Sequence, residues 1–333
     1  MRKSIAIVLA CAWLLAGATL ASAQSAALKA LKPADFPRRP IELVVVYPAG
    51  GGMDVTARTL AQHAEKYVGT KLVVVNRTGG GGLVGHTWLA KNSPADGYTV
   101  GVVANTLYPD ALLRGGQFSL SDFKPIASIN FSPLFWVVNT DTEVGRMTSP
   151  QVIDYIKKNG KNVNVGITPD NVFQFLTNDV ERDLHVQVNM VPFQGGKPGV
   201  VALLGKQIDI TTCLIVEFQQ YAQAGQLKPI AVADDHRHPT FPDTPTFSEL
   251  GIPVGGNLWG IWRFLSVPPN TPEDRVRFLE AAFLEALRDP ETQAAYDKLG
   301  DPLNPMNAAD TQKAYITNRD TQIDFFKSIG KMK

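Results

Sequence analysis

The stretch Pro48-Ala49-Gly50-Gly51-Gly52-Met53-Asp54 has the makings of an anion seat. Glycines let a backbone approach a ligand closely, and the free N–H groups that open a helix present partial positive charge. The loop follows a continuous β-branched run at 41–46, suited to a strand buried on both faces. It precedes Val55, Ala57, Leu60, Ala61, Ala64 and Val68 at helical spacing, closed by Gly69. Asp54 is placed to cap that helix. Taken alone, the loop is equally a tight strand-to-helix turn that binds nothing.

Two further loops fall at the same edge. A second buried run at 71–76 leads into Thr78 and the glycines to Gly82, then a helix over 83–91. A third strand at 98–103 ends at Ala104-Asn105-Thr106. Open α/β sheets bind ligands at the carboxyl ends of their strands, so this edge is the expected site. Gly80-Gly81-Gly82-Leu83-Val84-Gly85 spells G-x-G-x-x-G, but the acidic residue a dinucleotide fold needs after the next strand is replaced by Asn105. No G-K-[ST] follows any glycine run.

Catalytic signatures are thin: neither G-x-S-x-G nor H-E-x-x-H occurs. His236 and His238 flank Arg237 in a polar turn, a metal pair or solvated loop residues. Cys213 ends a strand with no histidine near it in sequence, so packing is its default role. Nothing in these motifs demands catalysis, so neither an enzyme activity, a cofactor nor a metal is expected.

The elements that must position these loops form two α/β regions. After 41–104 come strands expected at 126–129, 134–138, 163–167, 187–191, 208–213, 229–233 and 259–267. Ser149 as N-cap and Pro150 open a helix to 158. Thr271 as N-cap, Pro272 at the first helical position and the acidic Glu273-Asp274 open another through Val276, Leu279, Ala282, Phe283, Ala286 and Leu287. A final helix at 308–329 is expected to return to the first lobe, giving two crossings and a hinge. The expected division is an export signal at 1–23, a leader at 24–40, lobe one at 41–139 with 263–333, and lobe two at 140–262.

Arg2 and Lys3, an apolar stretch and Ala21-Ser22-Ala23 make up that signal, and imply a periplasmic protein. A membrane anchor, or lipidation at Cys11, are the alternatives. Loss of Arg2 and Lys3 takes the formal charge from +1 to −1. Such a balance, with no basic run, excludes nucleic acid as a partner and leaves any anion to be held by local geometry. With Cys213 the one cysteine after residue 23, there is no disulfide framework.

An ordered set of markers resembles the Bug-type substrate-binding receptors of tripartite tricarboxylate transporters, over about 40–300. They are Pro48-Ala49-Gly50-Gly51-Gly52 with Asp54, and Val75-Asn76-Arg77-Thr78-Gly79-Gly80-Gly81-Gly82 with Gly85. Ala95-Asp96-Gly97-Tyr98, Val191-Pro192-Phe193-Gln194-Gly195-Gly196 and Leu203-Leu204-Gly205-Lys206-Gln207-Ile208-Asp209 follow. Phe241-Pro242-Asp243-Thr244-Pro245-Thr246 with Glu249 and Gly251, then Trp262 and Thr271-Pro272, complete the set.

The resemblance implies an α/β type II periplasmic binding protein fold, two lobes closing over a small carboxylate. It implies membrane subunits of a tripartite transporter as partners and a monomer. The implied carboxylate grip is Gly50, Gly51, Gly52, Met53 and Asp54, beside Tyr47, with Gly81 and Gly82. Asn105 and Thr106 belong to the same edge, and lobe two contributes Thr168, Phe173, Gln194 and Gly195. The chain departs from the family pattern at Gly166 to Phe175 and near Cys213, and Cys213 and Trp262 are counted among the candidate ligand-binding residues. Ile167, Phe173 and Phe175 suggest an apolar distal pocket suited to an aromatic or aliphatic mono- or dicarboxylate, or else lobe core. Arg263, after Trp262, is a candidate partner for a second carboxylate, or a surface charge. An exported enzyme using the same cleft, or a sensor for a membrane kinase, are the rival functions.

Overall fold

The computed structural model describes residues 26–255 and 258–333; the export-signal reading falls outside them. β1 (Ile41–Val45), β2 (Leu72–Asn76) and β3 (Thr99–Ala104) form a parallel set in the order β2-β1-β3. In β1 only Glu42 is less than fully buried, as the apolar run requires of a strand covered on both faces. Between the strands run α1 (Gly52–Val68) and α2 (Leu83–Lys91), and after β3 comes the short α3 (Leu107–Leu112). α1 buries Met53, Ala57, Leu60, Ala61, Ala64 and Val68, and ends where Gly69, at φ 77°, donates its N–H to the Glu65 carbonyl.

β4 (Lys124–Asn139) is one continuous strand where the sequence suggested two. Its first part pairs antiparallel with β9 (Gly260–Val267), down to Pro133 opposite Gly260. From Leu134 onward it pairs with β7 (Ile210–Leu214) and β8 (Leu227–Val232). Pro133 sits where the partners change, at the end of one ladder, where a missing N–H costs least. β7 continues in parallel to β5 (Asn164–Ile167) and β6 (Asn189–Pro192). β9 also pairs antiparallel with β3, so β4 and β9 join the two parallel cores.

The second core carries α4 (Ser149–Asn159), α5 (Val172–Leu184), α6 (Gly196–Leu204) and α7 (Ile215–Gln223). α8 (Glu273–Arg288), α9 (Pro290–Lys298) and α10 (Ala308–Ser328) close the chain. α8 buries the apolar face read from its sequence, and Leu279, Phe283 and Leu287 contribute about 1.5–3 kcal/mol each by that burial.

Three local expectations need correction. α4 is capped by Thr148, not Ser149, because Gln151 lies at the right spacing to accept the Thr148 N–H at 2.8 Å. At α8 the Thr271 hydroxyl donates to the Pro268 carbonyl at 2.8 Å, closing the preceding turn instead of capping the helix. α10 does not pack on the first lobe alone. Tyr315 donates to the Leu120 carbonyl at 2.9 Å, while Phe325 and Phe326 pack against Phe175, with ring centroids 5.9 and 5.6 Å away.

Candidate functional site

The carboxyl ends of β1, β2 and β3 face those of β5, β6 and β7 across a narrow cleft. Tyr47, Pro48, Gly51, Gly52, Met53, Thr106 and Ile261 form one wall; Phe173, Gln194 to Pro198, Leu214 and Glu217 form the other. The lining is mostly apolar, with few polar groups to orient a ligand, as in small-molecule sites generally.

In the first glycine loop the three glycine amides are already engaged. Gly50, at φ 76°, donates to Asp54 Oδ2 at 2.8 Å, and Gly51 to the Pro48 carbonyl at 3.3 Å. Gly52 donates to Glu217 Oε1 at 3.2 Å. Asp54 is not the cap: Gly51 is, and Asp54, in the first turn, reaches back to hold the loop. Its carboxylate also accepts Arg58 Nε and Asn76 Nδ2, each at 2.9 Å. Burial raises its pKa, but the bonds from Arg58, Gly50 and Asn76 outweigh that and leave it below the ordinary value.

The second loop touches the opposite lobe. Gly81 donates to Gln194 Oε1 at 2.8 Å. Arg114 braces the loop from behind, donating to the Gly80 carbonyl and, at 2.5 Å, to Asp110, whose other oxygen meets His86 Nδ1 at 2.6 Å. Gly85 serves packing: a Cβ there would lie 2.3 Å from the Arg77 carbonyl oxygen. That close helix-to-strand approach accounts for the last glycine of the G-x-G-x-x-G pattern without a nucleotide.

Among the buried polar atoms beside this loop that have no hydrogen-bond partner among the described residues are Tyr47 Oη, Thr106 Oγ1, Thr168 Oγ1 and Asn171 Nδ2. Tyr47 Oη lies beside the Thr106 and Asn171 side chains without satisfactory bond geometry, and 3.1 Å from where a Cβ on Gly82 would sit. The Thr168 methyl is 3.8 Å from the corresponding point on Gly81. Asn171 caps α5 by accepting the Phe173 N–H at 3.0 Å, which leaves its amide nitrogen free. Burial, then the Asp110 charge, pushes the Tyr47 pKa well up, so the phenol stays a neutral donor. Unsatisfied buried groups are rare and each calls for an explanation.

Glu217, absent from the sequence expectations, is 3% exposed and stands in the cavity wall. Oε2 accepts the Leu214 N–H at 2.9 Å. A Cβ on Gly196 would fall 2.0 Å from Oε2, so the first turn of α6 closes directly on the carboxylate. The starts of α1, α6 and α7 thus surround one acidic group, where helix dipoles favour negative charge. Its pKa is nevertheless raised, by burial, against the opposing pull of the Leu214 and Gly52 N–H groups and of Arg263 and Lys197.

The other expected residues lie elsewhere. Cys213 points into the core of the second lobe with Phe135 and Phe218, and its neighbour Leu214 takes the place at the cavity. Ile167 packs in the main core and Phe175 against α10, so of the three apolar residues only Phe173 lines the cleft. Asn105 clamps β3 to β9, donating to the Gly260 carbonyl at 2.9 Å and accepting the Trp262 N–H. Trp262 donates Nε1 to Ser128 Oγ at 2.9 Å and lines a separate cavity with Phe131 and Met306. Arg263 is no surface charge: it is fully buried, its Nη1 donating to Asp301 at 2.9 Å and Asn130 at 3.0 Å. Nor is His238 a solvated residue, since it packs edge-on to Phe135 at 5.5 Å, and burial lowers its pKa. Among the described residues no group of three or more His, Cys, Asp or Glu could hold a metal, and no helix is long and apolar enough to cross a membrane.

Comparison with known proteins bears on the same architecture. Residues 56–324 match the family model described as the tripartite tricarboxylate transporter family receptor. A UPF0065 protein of Bordetella pertussis is 29% identical over 276 residues, 82% of this chain and 84% of that protein. The periplasmic binding protein BugD superposes with a TM-score of 0.82 at 27% identity, covering 90% of this chain and 100% of its own. MatC from Rhodopseudomonas palustris, solved with bound malate, gives 0.73 at 28% identity, covering 80% and 91%. The two α/β units joined by β4 and β9 are therefore the two-lobed fold of periplasmic binding proteins.

Proposed function

The chain belongs to the receptor family of tripartite tricarboxylate transporters, and from that premise we propose that it captures a small carboxylate between its lobes and delivers it to the membrane subunits of such a transporter. The observation that carries the reading is the set of four unpartnered donors, Tyr47 and Thr106 from one lobe, which line the cavity, and Thr168 and Asn171 from the other, which stand beside it. A carboxylate has two oxygens and about four acceptor sites, which matches hydroxyl and amide donors converging from both sides. Leaving them unsatisfied costs about 1–3 kcal/mol each, and a ligand that pairs them recovers that cost only when both lobes are closed on it. Closure and capture are then one event.

The rest of the wall supports an aliphatic or aromatic body: Met53, Phe173, Leu214 and Ile261 are apolar and line the same space. The malate bound in MatC supports the carboxylate class. We place the lobe crossings where the sheet partners change, at Pro133–Leu134 on β4 and just before Gly260, rather than after Asn139 and Trp262. The reading includes export to the periplasm with loss of residues 1–23, and action as a monomer without a cofactor.

A thermal-shift screen against mono-, di- and tricarboxylates tests it, because a ligand that binds only the folded state raises the melting temperature. At least one carboxylate is expected to raise it in a saturable way. A flat response across the panel would refute the reading.

A further inference from the structure

Glu217 occupies the place where a helix N-terminus would otherwise receive a ligand's negative charge. Its Oε1 takes the Gly52 N–H, the first amide of α1, and its Oε2 takes the Leu214 N–H. Gly196 leaves room for it that any side chain would fill. The guanidinium of Arg263 lies beneath the same point: Nη2, buried and without a partner among the described residues, is 3.3 Å from where a Cβ on Gly52 would sit. The one basic side chain among the described residues lining the cavity, Lys197, turns its ammonium to the Glu217 carbonyl at 3.4 Å and the Tyr221 hydroxyl at 3.3 Å. The protein thus supplies its own carboxylate to a seat built for one.

We propose that Glu217 determines specificity: the ligand carries one carboxylate, at the Tyr47 and Thr106 side of the cavity, and an uncharged or cationic hydrogen-bond donor at the Glu217 side, so that straight-chain dicarboxylates are rejected. The proposal rests on the reading of the cleft as a carboxylate site. Each Glu217 oxygen accepts one backbone N–H in the structure and has a second lone pair to offer a ligand hydroxyl, amide or ammonium. A ligand carboxylate in the same position would meet a like charge in a desolvated wall. Unit charges about 5 Å apart at an effective dielectric of about 20 cost more than a hundredfold in affinity. The helix termini and Arg263 offset part of that, so discrimination of about tenfold or more is expected.

The test is calorimetric titration of the purified protein with straight-chain dicarboxylates of about four to eight carbons and with the mono-amide of each, a length range set by small-molecule pocket sizes. Wild type is expected to bind at least one mono-amide about tenfold or more tighter than the dicarboxylate of the same length. Glu217→Gln, isosteric and uncharged, is expected to bring the pair within about threefold or to reverse it. Equal or tighter binding of the dicarboxylate by wild type overturns the role of Glu217 and leaves the carboxylate reading standing. Binding of neither series, by wild type or variant, overturns the role of Glu217, while the thermal-shift screen decides the carboxylate reading separately. The wild-type ratio decides the matter even if the variant fails to fold.

Discussion

Asp301→Asn is the substitution whose cost follows most directly from the buried charge pair between β9 and the segment after α9. Arg263, on β9, is 0% exposed and Asp301, after α9, is 1% exposed, with Nη1 and Oδ2 2.9 Å apart. Asn130 and Ser132 on β4 complete the cluster: Asn130 accepts from Arg263 at 3.0 Å, and the Ser132 hydroxyl donates to Asp301 Oδ1 at 2.5 Å. The change to Asn keeps the volume, so no cavity term enters; what is lost is the one negative charge bonded to a buried guanidinium. Breaking a buried pair from one side costs about 3–5 kcal/mol, because the remaining charge is stranded. That is a large fraction of the roughly 5–15 kcal/mol that holds a typical domain folded. The assay is urea unfolding followed by tryptophan fluorescence, with the m-value checked for constancy. Adding Arg263→Met should recover about 2 kcal/mol or more, since it removes the stranded charge. A cost below about 1 kcal/mol for Asp301→Asn, the range of exposed pairs, would refute the reasoning, as would a double variant less stable than the single one.

Asp289 accepts from Lys66 Nζ at 2.7 Å, Tyr67 Oη at 2.5 Å and the Glu291 N–H at 2.7 Å; burial opposes ionisation, but these bonds bring its pKa down to about 2. Its contribution is present above the unfolded value near 3.8 and disappears as pH falls through about 2. Asp289→Asn should therefore be less stable than wild type at pH 6, with the gap closing between about pH 4 and pH 2, as read from denaturant midpoints. Gly85→Ala puts a Cβ 2.3 Å from the Arg77 carbonyl oxygen and 2.7 Å from Val46 Cβ, which should cost about 1–3 kcal/mol or more in the same urea assay. Cys213 is buried, and burial lifts its thiol pKa well up, so an aromatic disulfide reagent should label it at the unfolding rate and not in the native protein.

What could be read from the chain alone divides along physical lines. The unit from Ile41 to Gly69 was legible because each level agrees: a β-branched run, glycines at the turn, helical spacing, and a glycine to end the helix. α8 was legible for the same reason, through its acidic first turn and apolar face. α6 was not, because Gly196, Lys197, Pro198 and Gly199 open it with poor helix formers. Pro198 stands in the first turn, where its missing N–H is no loss, and Gly199 is needed because a Cβ there would fall 2.5 Å from Thr211 Oγ1. α7 was hidden by the apolar run through Leu214, Ile215 and Val216, which reads as strand or helix alike.

In the site, loop positions were visible and pairings were not. Glu217 meets Gly52 across 165 residues of chain, a distance no local pattern reports. Asn171 does carry a local signal, an N-cap residue before an apolar helix, and its free amide follows from that role. On sequence grounds Arg263 is a candidate for a ligand's second carboxylate or a surface charge; it is buried, and its partner is the protein's own Asp301.

The central claim is that the unpartnered donors from the two lobes hold a carboxylate. Calorimetric titration of the carboxylate with the largest thermal shift into wild type and into Tyr47→Phe with Thr106→Val tests it most directly, since each substitution removes a hydroxyl and leaves the packing nearly intact. The account predicts a loss of about 1.5–3 kcal/mol per hydroxyl bonded to the charged group, about a hundredfold or more in Kd for the pair, with the unliganded melting temperature unchanged or raised. Affinity within about threefold of wild type would contradict it, because binding would then not depend on these hydroxyls.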